Sequence, residues 1–170
     1  MKLIAISGKK RSGKNTIASQ IKILSSQTVE EFSFAQDLKL ELAQLLKVKV
    51  VDIEERKDLY RPLLQALGTF RRMNSGEDYW INKCFRCILK SNAEVCIVTD
   101  VRFKNEKAAV EAAGGTVIRM LREKNTYDTH ESEVALDFEE FDIVVDNNLG
   151  LNELLNTTKK VCKRLGIKLK

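Results

Sequence analysis

The sequence is poor in residues that break, cross-link or anchor a chain. Its 170 residues include one proline, one histidine and one tryptophan. No apolar run approaches the ~18 residues of a membrane-spanning helix, which excludes a helical membrane protein. No repeat, low-complexity tract or linker divides the chain, so we expect a single domain over residues 1–170.

Cysteine is scarce as well, and its placement argues against disulfide, redox and zinc chemistry. The apolar run near the first residue ends after four residues, so we expect no export, and reduced thiols in the cytoplasm. Cys84 and Cys87 form one CxxC pair, but no second pair or paired histidine completes a metal site. Because this segment has helical periodicity, we interpret the two cysteines as small apolar residues on one helix face.

The charge balance is modest. Lysine and arginine number 29 against 24 aspartate and glutamate residues, which gives a net charge of +5. Such an excess suits a nucleotide or a nucleic acid. The basic residues are scattered among acidic ones and no nucleic-acid recognition module is present, so we expect small-molecule substrates, with neither a nucleic-acid nor a membrane partner.

Hydrophobic periodicity predicts an α/β fold. Strand-like and helix-like segments alternate along most of the chain, which favours a parallel sheet with helices on both faces and ligands beyond the carboxyl ends of the strands. The apolar run EVCIVTD, residues 94–100, is predicted to be the central strand. Pro62 is expected in the first turn of a helix over 59–73. The charged segment 122–140 is expected to be a mobile excursion outside the core.

The stretch GKKRSGKNT, residues 8–16, has the spacing of a phosphate-binding loop. It follows a predicted strand and opens a predicted helix, so its inward amides, the helix amino terminus and a lysine charge can hold phosphates. Asn15 stands where the common motif has serine or threonine, and Thr16 supplies a hydroxyl one residue later. The loop residues predicted to bind the phosphates of a nucleotide are Gly8, Lys10, Arg11, Ser12, Gly13, Lys14, Asn15 and Thr16.

A magnesium site is predicted beside this loop. Asp100 ends the predicted central strand, where a carboxylate can hold Mg²⁺ or its waters opposite the loop. The Thr16 hydroxyl is the second candidate ligand. The alternative for Asp100 is a helix cap or an ion pair with Arg102, and the two roles are compatible.

Six stretches in a fixed order resemble the bacteriophage-type deoxynucleoside monophosphate kinases: GKKRSGKNT, RPLLQALGTFRR, DYWI, VTDVRFKNE, GGTVIRMLRE and HESE. The resemblance runs from the first strand to about residue 147. It implies a three-layer P-loop NTPase fold with a short lid segment. It also implies Mg²⁺-dependent transfer of the γ-phosphate of ATP to a deoxynucleoside monophosphate. Asn15 departs from the family, in which an acidic residue is common at that position.

The resemblance places the acceptor nucleotide on a helical region at about 35–91 and on the motif DVRFKNE. The acceptor-binding residues that it implies are Arg61, Arg71, Trp80, Asp100, Arg102 and Glu106. Guanidinium groups grip phosphate oxygens, and an indole offers a flat face to a base. Two alternatives stay open: Trp80 as a core anchor, and Arg61 and Arg71 as solvated charges, with Arg72 able to replace Arg71.

The lid is implied at about 122–136, with Arg119 and Arg122 reaching the transferring phosphate. The catalytic residues are then Lys14, Arg119, Arg122 and Asp100. No general base is required, because phosphoryl transfer depends on positioning and charge neutralisation. His130 matches a lid histidine with a hydrogen-bonding role, and Asn147, assigned to ATP, lies where similar kinases enclose the adenine.

These observations predict an ATP- and Mg²⁺-dependent deoxynucleoside monophosphate kinase in the cytoplasm, that of the host if the chain is of phage origin, with a homodimer as an option. One alternative is another small-molecule P-loop kinase, acting on a phosphorylated isoprenoid or a coenzyme precursor. Trp80 and DVRFKNE argue against it. The other is a nucleotide-gated, nucleic-acid-binding ATPase, against which the scattered charge argues.

Overall fold

The computed structural model describes residues 1–123 and 131–170. Contacts divide the chain into two compact units, Met1–Phe32 with Ser91–Lys170, and Ser33–Lys90. The expectation of a single domain stays a prediction. The elements in chain order are β1 (Lys2–Gly8), α1 (Lys14–Leu24), β2 (Val29–Phe32), α2 (Ala35–Leu46), α3 (Val50–Glu55), α4 (Lys57–Ser75), α5 (Tyr79–Lys90), β3 (Val95–Val101), α6 (Lys104–Ala112), β4 (Thr116–Leu121), α7 (Glu131–Val134), β5 (Ile143–Asp146) and α8 (Leu151–Arg164).

The first unit contains a sheet in the order β2-β3-β1-β4-β5, with all neighbouring strands parallel. This confirms the predicted parallel α/β architecture. The middle strand is β1, however, and the prediction that EVCIVTD occupies the centre is wrong. Strand β3 lies between β2 and β1 and is also an interior strand, so its residues 95–98 are buried on both faces like those of a central strand.

Helices cover both faces of this sheet. The connections β1-α1-β2 and β3-α6-β4 run across the sheet in opposite directions, so right-handed crossovers place α1 and α6 on opposite faces. Helix α8 packs on α1, and α6 packs on β1 and β4. The carboxyl ends of the strands therefore share one edge, where the loops after β1, β3 and β4 supply the candidate functional residues.

The second unit is helical. Helix α2 packs against α3, α4 and α5 around a small buried cluster of Leu42, Ala43 and Ile53. Helix α4 begins at Lys57, so the prediction that Pro62 lies in its first turn is wrong. A proline lacks the N–H group that would donate one hydrogen bond of the helix. A helix of 19 residues that packs against neighbouring helices tolerates this loss.

Helix α5 confirms the helical character of the segment that carries the CxxC pair. Both cysteines are free thiols, but only Cys84 lies on the buried face, and Cys87 is exposed. The interpretation that both side chains lie on one buried face of the helix is therefore wrong. Among the helices of the described ranges, none has the length and apolarity to cross a membrane.

The charged segment 122–140 is only partly packed in the ranges that the structure describes. Residues 131–134 form α7, and Glu133 and Leu136 are buried, whereas Arg122 and Phe138 are exposed. The prediction of an excursion outside the core is therefore wrong at Glu133 and Leu136. The reason is that acidic residues of this segment pair with cations elsewhere in the first unit, which periodicity does not reveal.

Candidate nucleotide site

The phosphate loop connects the end of β1 to the start of α1. Gly13 has a φ of +101°, and a Cβ at this position would lie 2.3 Å from Nδ2 of Asn147. Only glycine fits both the backbone conformation and the space. Nδ2 of Asn147 donates to the Ser12 carbonyl at 3.0 Å, and Asn147 is buried. This residue, predicted to enclose the adenine, thus supports the loop directly.

Lys14 lies on the loop's own carbonyl groups. Its Nζ donates to the carbonyl oxygens of Gly8 at 2.5 Å and Lys9 at 2.8 Å. Burial lowers the pKa of Lys14 to about 8, and the charge of Arg102 also lowers it, while Glu133 raises it. The lysine is still mostly protonated at pH 7, in surroundings where an added anion would be favoured.

The other predicted loop ligands differ in exposure. Asn15 is exposed and Thr16 is half-buried in the first turn of α1. Arg11 is an exposed residue with a positive φ of 63°. The Ser12 side chain is buried, and its Oγ has no hydrogen-bond partner among the described residues.

The motif DVRFKNE spans the end of β3 and the first turn of α6. The carboxylate of Glu106 accepts the backbone N–H groups of Arg102 at 2.7 Å and Phe103 at 3.0 Å, both on Oε2, and so caps α6. Burial, followed by the charge of Asp100, raises the pKa of Glu106 to about 8. The carboxyl group therefore keeps its proton at neutral pH, and Oε1 is the oxygen that can carry it.

Arg102 is joined to the phosphate loop by Glu133, a residue that sequence reasoning missed. Its Nη1 pairs with the carboxylate of Glu133 and donates to the Ser132 carbonyl at 3.2 Å. The same carboxylate accepts the backbone N–H of Lys10 at 2.9 Å. Glu133 is the last residue of the stretch HESE, so the sequence did contain a signal for it. That stretch contributed only to the family resemblance and gave Glu133 no role.

Arg119 is a strand residue of β4. Its guanidinium donates to Oγ of Ser7 at 3.0 Å and pairs with Asp137 at 2.8 Å. Asp137 also pairs with Lys9 of the phosphate loop at 2.8 Å. A second carboxylate thus links the loop to an arginine, and sequence reasoning missed it too.

The remaining predicted lid residues are only partly described. Arg122 is exposed, and its Nη1 donates to the Arg11 carbonyl at 3.3 Å. His130 lies outside the described residues. Of the predicted lid, the structure describes residues 122–123 and 131–136.

The second unit holds the other predicted acceptor residues. Arg71 pairs with Glu41 at 2.5 Å. Trp80 is buried, and its Nε1 donates to the Gly68 carbonyl at 3.3 Å. The indole thus has the surroundings of a core anchor, which is the alternative that the sequence left open. Arg61 is half-buried on α4.

Arg72, the alternative to Arg71, donates from Nη2 to Oγ1 of Thr69 at 3.2 Å. The T-shaped contact of Trp80 with Tyr79, at 4.8 Å between ring centroids, connects the indole to the side chain beneath Arg71. Within this unit, Arg71 and Trp80 therefore both contact the side chain of Tyr79.

The stretch that contains the motif DVRFKNE has counterparts in known proteins. Residues 43–158 match the family described as deoxynucleotide monophosphate kinase, which is more than half of the chain. The chain belongs to the deoxynucleotide monophosphate kinase family. The resemblance inferred from the six stretches is thereby confirmed.

Relatives in this family come from viruses. The deoxynucleotide monophosphate kinase of Enterobacteria phage T4 is 34% identical over 110 residues, which cover 62% of this chain and 46% of that protein. The corresponding enzyme of Escherichia phage RB69 is 34% identical over 114 residues, 61% of this chain and 44% of that protein. The chain thus spans about half the length of these two curated relatives. A putative deoxynucleotide monophosphate kinase of Acanthamoeba polyphaga mimivirus is 31% identical, with 90% of this chain and 92% of that protein covered.

Solved structures support the fold of this family member. A shikimate kinase from Acinetobacter baumannii in complex with shikimate superimposes with a TM-score of 0.51 at 12% identity, covering 97% of this chain and 93% of that one. The tunicamycin resistance protein of Deinococcus radiodurans gives a TM-score of 0.53 at 13% identity, covering 99% and 98%. The predicted three-layer α/β P-loop fold is confirmed.

Proposed function

We propose that the chain transfers the γ-phosphate of ATP to a deoxynucleoside monophosphate, giving the diphosphate and ADP. The observation that supports this most directly is the arrangement of cations in the first unit. Glu133 pairs with Arg102 and accepts the backbone N–H of Lys10 at 2.9 Å, so the guanidinium lies beside the loop that carries Lys14. Two neighbouring cations on different segments suit two phosphate groups that must approach each other, one from the donor and one from the acceptor.

Each segment has its own role in this proposal. The loop amides and Lys14 hold the phosphates of ATP. Arg102 holds the acceptor, and Glu106 offers it a protonated carboxyl group at neutral pH. Arg119 and Arg122 are proposed to neutralise charge on the transferring phosphate. Transfer then needs positioning and charge more than covalent help from the protein.

Mg²⁺ fits the donor set beside the loop. Thr16 offers a hydroxyl and Asp100 a carboxylate, the hard oxygen ligands that this ion prefers. The charge of Asp100 raises the pKa of Lys14, which supports a position of the carboxylate opposite the loop. Mg²⁺ is commonly bound through one or two carboxylates together with substrate phosphates and waters. The bound ion would supply neutralisation of phosphate charge.

The second unit is proposed to contribute to the acceptor. Arg71, once released from Glu41, and Arg61 are the candidates for its phosphate. Trp80 is proposed to help bind the base of the acceptor, either by stacking its indole face on the base or by supporting neighbouring side chains. We further propose that small molecules are the substrates, without a nucleic-acid or membrane partner, and that the chain works in the cytoplasm of a phage host, with a homodimer as an option.

The test is an ADP-release assay with ATP, Mg²⁺ and each common ribo- and deoxynucleoside monophosphate in turn. We expect turnover with at least one deoxynucleotide, because both phosphate-binding segments are present in one unit. Background ATP hydrolysis with every monophosphate would contradict the proposed substrate class. Turnover with a phosphorylated isoprenoid or coenzyme precursor instead would retain the loop assignment and replace the acceptor.

A further inference from the structure

Glu133 is a buried carboxylate outside both predicted substrate-binding segments, and it contacts each of them. Its side chain is 1% exposed. Oε1 pairs with Nη1 of Arg102, and Oε2 accepts the backbone N–H of Lys10 at 2.9 Å. One carboxylate therefore joins the acceptor motif to the phosphate loop.

A buried carboxylate is costly unless it is paired and hydrogen-bonded. Two partners of Glu133, Arg102 and the backbone N–H of Lys10, belong to segments assigned to substrates, so its burial is linked to the geometry of the site. Among the described residues, the contacts of the Arg102 guanidinium with Ser132 and Glu133 both use Nη1. Because the guanidinium is planar, fixing one edge also fixes the direction of the edge formed by Nη2 and Nε. That second edge is the kind of donor pair that grips a phosphate in a bidentate manner.

We propose that Glu133 is a positioning residue: it sets the guanidinium of Arg102 relative to the phosphate loop, so that the acceptor phosphate is held next to the donor phosphate. The inference rests on the proposed kinase function and deepens it. Glu133 itself touches no substrate and acts through Arg102. Its removal should therefore affect use of the acceptor more than binding of ATP.

A double-mutant cycle tests this role. Glu133→Gln, Arg102→Gln and the double variant are compared with the unmodified chain for kcat and for the KM of ATP and of the acceptor. A contact between charged groups of this kind suggests a loss of about tenfold in kcat/KM for the acceptor on Glu133→Gln. The KM of ATP should change by less than about threefold. In the Arg102→Gln background, Glu133→Gln should have almost no further effect.

Two more variants separate positioning from folding. Glu140→Gln makes the same change at an exposed carboxylate and should leave both KM values unchanged. Glu133→Asp keeps the charge with a shorter reach and should recover part of the loss, with thermal unfolding and circular dichroism verifying that each variant folds. If Glu133→Gln does not fold, the same cycle is measured with Glu133→Asp.

The possible failures are distinguishable because the unmodified chain is assayed first. If it phosphorylates no monophosphate, the proposed function fails and the inference fails with it. If it is active but the losses from Glu133 and Arg102 multiply, or the KM of ATP rises as much as that of the acceptor, only the inference is overturned. The inference is supported if the losses from the two single variants do not multiply in the double variant and affect the kinetic constants of the acceptor alone.

Discussion

At the scale of single residues, the nucleotide site is built from charges that the fold partly buries. Lys14 and Glu106 have pKa values shifted toward each other, both to about 8, and burial is the first cause in each case. The lysine is a buried cation that its surroundings disfavour in spite of the nearby carboxylates, and the glutamate is an acid that holds its proton. Both states suit a pocket that receives phosphate.

Lys14→Met should abolish phosphoryl transfer and stabilise the ligand-free chain at pH 7. In the folded state the pKa of Lys14 falls from 10.5 to about 8, a shift of about 3 kcal/mol against the charged form. The methionine also loses two hydrogen bonds of Nζ, so we expect a net gain on the order of 1 kcal/mol. Thermal unfolding with and without ATP measures it, and ATP should stabilise only the unmodified chain.

The sign of the pH dependence follows from linkage. Between about pH 8 and 10.5 the unfolded chain binds the proton that folded Lys14 has lost, so the unmodified chain gains stability as the pH rises through this window. The advantage of Lys14→Met is therefore full below pH 8 and shrinks toward pH 10.5. Lys22→Met, an exposed position on the same helix, is the matched control and should show no such dependence. A constant difference across the window would contradict the burial of the lysine charge.

At the scale of elements, the loop between β1 and α1 depends on a contact with the segment after β5. Gly13→Ala should destabilise the chain by about 3 kcal/mol, because a positive φ and a collision with Asn147 add together. Gly114→Ala is the control, since Gly114 also has a positive φ, of +74°, and nothing lies within 4 Å of the added Cβ. It should cost only about 1 kcal/mol. Chemical denaturation measures both, and equal losses would show that the Asn147 contact has no effect.

Local sequence predicted most elements but not their neighbours. Strand β4, Thr116–Leu121, follows a glycine pair and is mostly apolar, which is a local signal of the kind that sequence can carry. The position of β1 in the middle of the sheet was missed, since two interior strands have equally apolar sequences. Helix α7 was missed because it has only four residues, too few for a periodic pattern.

At the scale of the whole molecule, the two units differ in how much apolar surface they bury. One buried cluster of the second unit consists of Leu42, Ala43 and Ile53, and a few further apolar side chains of this unit, such as Trp80 and Ile88, are buried as well. The first unit has a larger core between β1, β3, β4, α1 and α8. Small cores give marginal stability, so the second unit should be no more stable than the first.

Trp80 makes this measurable, since it is the single tryptophan of the chain and lies buried in the second unit. In a urea titration, we expect its fluorescence to change at or below the midpoint of the far-ultraviolet circular dichroism, which follows the whole chain. Coincident transitions would support the predicted single domain. A fluorescence midpoint above that of the circular dichroism would contradict the assignment of the smaller core as the less stable one.

By itself, the sequence determined the features that depend on neighbours along the chain. Three such features could be recognised from the sequence: the spacing of Gly8, Gly13 and Lys14, the alternation of strands and helices, and the stretch DVRFKNE after an interior strand. Together they indicated the family that the comparisons confirm. Loop conformation, helix starts and strand hydrophobicity are local properties, so spacing carries them.

Only the tertiary structure decided which distant groups meet. Glu133 contacts Lys10 across 123 positions of sequence, and Asn147 supports Ser12 across 135. Nothing in the spacing of these residues predicts such pairs, because they form only when β4 pairs with β1 and β5 with β4, which brings the segments after these strands to the phosphate loop. The burial of a charge depends on that packing, and so do the pKa values of Lys14 and Glu106.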